Sequence, residues 1–162
     1  MKTLVLGLGN PILSDDSVGM KIAREFQDMV NDVGVTTIES SSSGLNLLQL
    51  LIDYDRAVII DAIQTEKGKA GSIYYLEPCE LKTSERVTHC HSSGIADLIR
   101  LGKKLGLKLP QQIDIFAIEA ADVSTFGETL TPEVAEAIPV CLSMIAGKLG
   151  LRLDLSEPIT KT

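Results

Sequence analysis

Two short apolar runs constrain the fold more than any other feature of this 162-residue sequence. One covers residues 2–8 and leads into Gly9. The other is Arg56–Asp61, RAVIID. Neither alternates apolar with polar residues, and both are far too short for a helix that must stand alone. Strands buried on both faces read this way. Val33–Glu39 and Ile113–Ile118 are β-branched segments of the same kind, and Ser72–Leu76 suits a further strand at an edge. Between these runs the apolar residues recur at helical spacing. The first such set is Val18, Ile22, Phe26, Met29 and Val30, and the second runs from Leu45 to Ile52. A third opens at His91 and passes through Ile95, Leu98, Ile99 and Leu105 to close at Gly106. The last comprises Val134, Ile138, Cys141, Leu142, Ile145 and Leu149. Thr131-Pro132-Glu133 is a strong start for that helix, with Thr at the cap and Pro in the first turn. Pro139 inside it predicts a kink. Asp15, Asp16 and Ser17 are candidate caps for the first helix.

Strands that alternate with helices imply the α/β class. The expected architecture has three layers, α/β/α, around a twisted, mainly parallel five-stranded sheet. Ser72–Leu76 is the one strand expected to be antiparallel, because no helix separates it from Arg56–Asp61. Gln64–Ala70 reads as a charged loop and Glu77–Cys90 as irregular. One domain is expected over residues 1–155, with 156–162 as a flexible tail.

Composition removes several classes of function. Fifteen basic against 22 acidic residues leave a net charge of −7, which repels a phosphate backbone. Aromatics are 4% with no Trp, leaving few platforms on which bases could stack. No stretch approaches the roughly 18 apolar residues of a membrane span. The N-terminal run is too short for a signal peptide and lacks its cleavage site. Cys79, Cys90 and Cys141 form no CxxC pair, as expected of reduced thiols in a cytoplasmic protein.

In sheets of this class ligands sit beyond the carboxyl ends of the strands. The first strand runs into Gly7-Leu8-Gly9-Asn10-Pro11-Ile12-Leu13-Ser14-Asp15-Asp16. A dinucleotide fingerprint would need a third glycine where Ile12 stands. Pro11 removes an amide donor, and two acids occupy the place of a pyrophosphate. Asp16, Asp61 and His91 all fall on the same expected rim. Two carboxylates and an imidazole suit a divalent first-row metal, and three ligands leave coordination positions open. Each residue also has a local reading: Asp15 or Asp16 as a cap, Asp61 in an Asx turn, His91 beside a helix N-terminus. His89-Cys90-His91 is a rival cluster in which residues 89 and 91 of an extended segment face the same way. No second ligand pair with zinc spacing accompanies it. Ser40–Ser43 form no GxSxG motif and read as a polar turn. Glu119 and Asp122 follow the last strand and stand near the rim.

Several ordered motifs resemble one family. Gly9 to Gly19 is similar to the GNxLxxDDGxG signature of the hydrogenase maturation proteases, with Ser17 where that pattern has glycine. Ser43-Gly44-Leu45-Asn46-Leu47-Leu48 resembles its GLxLL turn, and Val58–Ala62 its VxxDA strand end. Gly71 fits the glycine of its PGT step, with Ala70 in place of proline, and His91–Ile95 resembles HxxGL. The resemblance covers roughly residues 2–150. It implies a phosphorylase/hydrolase-like fold and an endopeptidase that trims the C-terminus of a [NiFe]-hydrogenase large-subunit precursor. It further implies Asp16, Asp61 and His91 as metal ligands and as the catalytic set, acting on nickel that the precursor supplies. A monomer is expected, meeting neither nucleic acid nor membrane. Two other functions stand beside it. Leu4–Pro11 also resembles the opening of peptidyl-tRNA hydrolases, but their TRHN segment is missing. A non-catalytic metal-binding chaperone on the same fold is the third.

Overall fold

The computed structural model describes residues 1–80 and 87–155. In chain order it contains β1 (Thr3–Leu8), a 3-10 turn (Ser14–Ser17), α1 (Val18–Met29), β2 (Val35–Ser40), α2 (Leu45–Leu51) and β3 (Arg56–Thr65). There follow β4 (Ile73–Leu76), β5 (Val87–Cys90), α3 (Ile95–Lys104), β6 (Gln112–Glu119) and α4 (Pro132–Leu149). The tail expected at 156–162 lies outside the described residues, as do residues 81–86 of the segment expected to be irregular.

The main sheet has the order β2-β1-β3-β6-β4. The pairings β1·β2, β1·β3 and β3·β6 are parallel. At the edge, β4 runs antiparallel to β6, with Ile73 opposite Ile118. These are the five strands expected, with the one expected reversal. Helices cover both faces. Val5, Val58, Ile60, Phe116 and Ile118 pack beneath α1 and α4. Leu4, Leu6, Leu8, Ala57, Ile59 and Ile115 pack beneath α2 and α3. Every residue of β1 is buried, so each face needs an apolar side chain and the alternation vanishes.

Two features differ from the expectation. A sixth strand, β5, lies within Glu77–Cys90 and pairs antiparallel with the far end of β3. Consequently β3 does not stop at Asp61 but continues to Thr65. Asp61 therefore sits inside a strand that is paired on both sides, not in a turn. The helix after His91 also starts later, at Ile95, and leaves His91 in the preceding turn. Pro139 is accommodated within α4, which runs from Pro132 to Leu149.

The first turn of α1 is pressed onto the sheet. A Cβ on Gly19 would stand 2.3 Å from the Ile60 carbonyl oxygen and 2.5 Å from that of Leu8. Both obstacles are strand backbone and cannot step aside as a side chain would. Gly19→Ala is expected to cost about 2–3 kcal/mol of stability through overpacking. Urea denaturation checks this, and an unchanged midpoint would contradict the close approach.

Candidate active site

Beyond the carboxyl end of β1, and alongside the second half of β3, the chain brings together Asp16, Asp61, His89 and His91. Asp16 comes from the 3-10 turn, Asp61 from β3, His89 from β5 and His91 from the turn that follows it. The 3-10 turn lies against the end of β1, where a Cβ on Gly9 would fall 2.1 Å from the Asp16 carbonyl oxygen. Only a residue without a side chain permits that contact. Ser14, which opens the turn, has φ 48°. This strained conformation is held by Ser14 N–H donating to Gly127 O at 2.9 Å and its hydroxyl donating to Thr129 O at 2.9 Å.

The two aspartates are almost wholly withdrawn from water, Asp16 at 1% and Asp61 at 0% exposure. Such groups require donors, and they have them. Asp61 Oδ2 accepts the Ser92 N–H at 2.8 Å, the Ser92 hydroxyl at 3.1 Å and the Cys90 thiol at 3.2 Å. Asp61 Oδ1 meets His91 Nδ1 at 3.2 Å. That contact turns His91 Nε2 toward Asp16 Oδ2, 3.6 Å away. On the other side of Asp16, His89 Nε2 stands 2.7 Å from Oδ1. The two imidazoles meet edge to face with centroids 5.3 Å apart.

Electrostatics follow from these contacts. The hydrogen bond to Asp61 is the largest influence on His91. With the charges of Asp61 and Asp16 it raises the imidazole pKa above the ordinary value, against the opposing effect of burial. Burial and then the Asp61 charge push the Cys90 thiol up to about 12. Cys90 therefore stays protonated and serves as a donor to Asp61, not as a thiolate nucleophile. One ligand atom from each of Asp16, His89 and His91 can be chosen so that all lie within 4.8 Å of one another. A carboxylate with two imidazoles is a fitting donor set for a divalent first-row metal.

The sequence offers Asp15 as a helix cap, and the structure gives it another role. Its carboxylate is 0% exposed and makes neither helix cap nor contact with the cluster just described. It accepts the Ala121 and Asp122 amides at 2.9 and 3.0 Å and the Thr131 amide at 2.8 Å. The Thr131 hydroxyl donates to it as well, at 2.8 Å. Thr131 does occupy the N-cap of α4, yet its hydroxyl serves Asp15 and not its own helix. Nothing local in the sequence announces this, since the partners lie more than 100 residues away. Glu119 is buried, not solvated, and Oε1 accepts the Thr65 amide and hydroxyl, both at 2.9 Å. Asp122 is held down to about 2 by bonds from Thr125 and Ser124 that brace its own loop. Among the serines at 40–43, Ser40 Oγ stands 2.8 Å from Ser42 Oγ and accepts the Ser42 amide at 3.0 Å, as in a polar turn.

A family model described as hydrogenase maturation protease matches residues 20–148. The chain belongs to the hydrogenase maturation protease family. It is accordingly a peptide-bond hydrolase, and the peptidyl-tRNA hydrolase and chaperone alternatives fall away. The "Hydrogenase 2 maturation protease" of Escherichia coli K12 is 26% identical over 153 residues, covering 92% of this chain and 91% of its own. "Hydrogenase expression/formation protein HupD" of Bradyrhizobium diazoefficiens is 29% identical over 149 residues, 85% of this chain and 72% of its own. Among solved structures, the hydrogenase maturating endopeptidase HybD of E. coli superposes with a TM-score of 0.79 at 24% identity, over 93% of each chain. The [NiFe] hydrogenase maturation protease HybD of Thermococcus kodakarensis superposes with 0.68 at 28% identity, over 92% of this chain and 99% of that one. Among the described residues of the maturation protease no helix is long and apolar enough to cross a membrane.

The raised pKa of His91 has a signed consequence. Its cationic form is favoured in the folded state, so the stabilisation is fully present below the unfolded value of about 6.5 and fades as pH rises through the folded value. NMR titration of the His91 ring protons is expected to give a pKa above about 6.5, falling in Asp61→Asn. The stability gap between wild type and Asp61→Asn should be wider at pH 6 than at pH 9. A gap independent of pH would contradict the ion pair.

Proposed function

We propose that the protein removes a C-terminal peptide from the nickel-loaded precursor of a [NiFe]-hydrogenase large subunit, recognising that nickel through Asp16, Asp61 and His91. The observation that carries this reading is the meeting of these three side chains at one rim, from three separate elements. Membership of the maturation protease family and the hydrogenase maturation activity for which its relatives are named support the substrate class. The nickel is the precursor's and comes with the substrate.

Asp16 and His91 face each other across a gap from which Nε2 and a carboxylate oxygen can both reach a metal. Asp61 fixes the tautomer and direction of the imidazole through Nδ1, as carboxylates behind metal-binding histidines do. Rotation of the His91 ring would free Asp61 Oδ1 to ligate directly. Binding a metal already embedded in the substrate fixes the neighbouring peptide bond against the site, and such positioning alone is worth several powers of ten in rate. A metal ion so held also polarises a carbonyl or activates water, with a carboxylate at hand as base. We place this work in the cytoplasm, with the protease acting as a monomer over one domain, residues 1–155.

A second ligand set is favoured by one specific contact. Asp16 Oδ1 lies 2.7 Å from His89 Nε2, so that His89 and not Asp61 completes the donors as the side chains stand.

Nickel titration calorimetry and cleavage of the nickel-loaded precursor separate the two. Asp16→Asn and His91→Ala are expected to lower the cleavage rate at least about 100-fold, the scale of losing a positioned catalytic group. In the first reading Asp61→Asn does the same while His89→Ala retains nickel affinity. If His89→Ala abolishes nickel binding and Asp61→Asn only weakens it, the second set is correct. Full cleavage by both Asp16→Asn and His91→Ala would sink the proposal.

A further inference from the structure

We propose that Ile12 and Phe126 form a rigid apolar knob that docks on an apolar surface of the nickel-bearing precursor, beside its metal. This rests on the proposed function, because it names what that same substrate must present.

The two side chains are conspicuous for their exposure, 49% for Ile12 and 80% for Phe126. Val33 and Leu105, also exposed, lie past the far ends of α1 and α3, away from the rim. Leu45 opens α2 at the rim, but among the described residues no backbone hydrogen bond joins its segment to the Phe126 loop. Ile12 and Phe126 stand on the rim itself. Their segments are sewn together: Gly127 N–H donates to Ile12 O at 2.8 Å, and Ser14 N–H donates to Gly127 O at 2.9 Å. The loop that carries Phe126 is gripped from beneath by the buried Asp15 carboxylate at both its ends, through Ala121 and Asp122 and through Thr131. The Lys21 amine donates to the Glu128 carbonyl and tethers its far side.

Nothing within the described chain covers the phenyl ring to repay this anchoring. A large aromatic side chain held out on an ordered loop loses little further entropy on docking, and aromatic anchors of this kind dominate interface affinity. Location selects the occupant. Asp16 belongs to the 3-10 turn that opens at Ser14, two residues after Ile12. An Asp16 that reaches a metal inside another protein brings Ile12 and Phe126 against that protein's surface in the same act. The partner is therefore the precursor, and its chemistry at the contact is an apolar depression adjoining the nickel.

The test uses the full chain and the nickel-loaded precursor as probe. Ile12→Ser, Phe126→Ser and the double variant are compared with Val33→Ser, whose apolar side chain lies away from the rim. Precursor affinity is measured by biolayer interferometry, alongside single-turnover cleavage at saturating enzyme and titration with free nickel. Phe126→Ser is expected to weaken precursor binding about tenfold or more, and the double variant further, as loss of an interface anchor does. Cleavage at saturation, free-nickel binding and Val33→Ser should stay at wild-type levels. Unchanged precursor affinity in the double variant, with wild type cleaving normally, overturns the knob and leaves the protease reading intact. If instead Phe126→Ser turns a dimer into a monomer in sedimentation and leaves precursor affinity unchanged, the knob serves a second copy and the proposal is wrong. A wild type that neither binds nor cleaves the precursor removes the parent reading and this one together.

Discussion

Three of the buried carboxylates at one end of the sheet, those of Asp15, Asp16 and Asp61, are no more than 1% exposed. An ionised group in such a place is tolerated only when donors surround it. The chain meets this requirement in three ways. Asp15 is saturated by backbone amides and a threonine hydroxyl. Asp61 takes an amide, a hydroxyl, a thiol and an imidazole. Asp16 is met by histidines alone among the side chains paired with it. The first is a structural knot, the last a group of donors of the kind that suits a divalent metal, and Asp61 stands between them.

This division of labour explains how the rim can be both strained and exact. Ser14 adopts a left-handed backbone, and Gly9 allows the turn to touch the end of β1. Those costs are offset by the Asp15 network, which ties the turn to the loop between β6 and α4. The result is a pair of adjacent acids with opposite fates, one wholly consumed in holding the loop and one facing the two histidines. Asp61 gains its own precision from β5. By pairing with Ile63 to Thr65, that strand carries β3 beyond the acid and locks it within a ladder. The same strand delivers His89, Cys90 and, at its exit, His91.

Much of this was legible from residue patterns. The runs over 2–8 and Arg56–Asp61 announce doubly buried strands because apolar side chains are needed on both faces. The order of apolar runs puts Asp16, Asp61 and His91 at the same end of the sheet, although Asp61 lies inside β3 and not after it. Other features escaped for physical reasons. The β5 segment, VTHC, is too short and too polar to read as a strand, and it exists because β3 offers it an edge. His89 gave only its spacing from His91, while the acid it faces lies 73 residues earlier. The embedding of Glu119 beneath Thr65 and the Lys67–Lys69 loop depended likewise on pairing between distant strands.

Taken by itself, the sequence determined the α/β class, the end of the sheet where chemistry gathers, and the residue types available there. These are consequences of local periodicity and connection rules, which act over a few residues at a time. Tertiary structure decided which acid became a knot and which a site, and which histidine nitrogen faces which carboxylate. It also decided that the segments carrying Ile12 and Phe126, 114 positions apart in the chain, are joined by backbone hydrogen bonds. Those outcomes depend on hydrogen bonds between segments from 30 to 116 residues apart. No local rule reports them, because their donors and acceptors meet only after the sheet has been assembled.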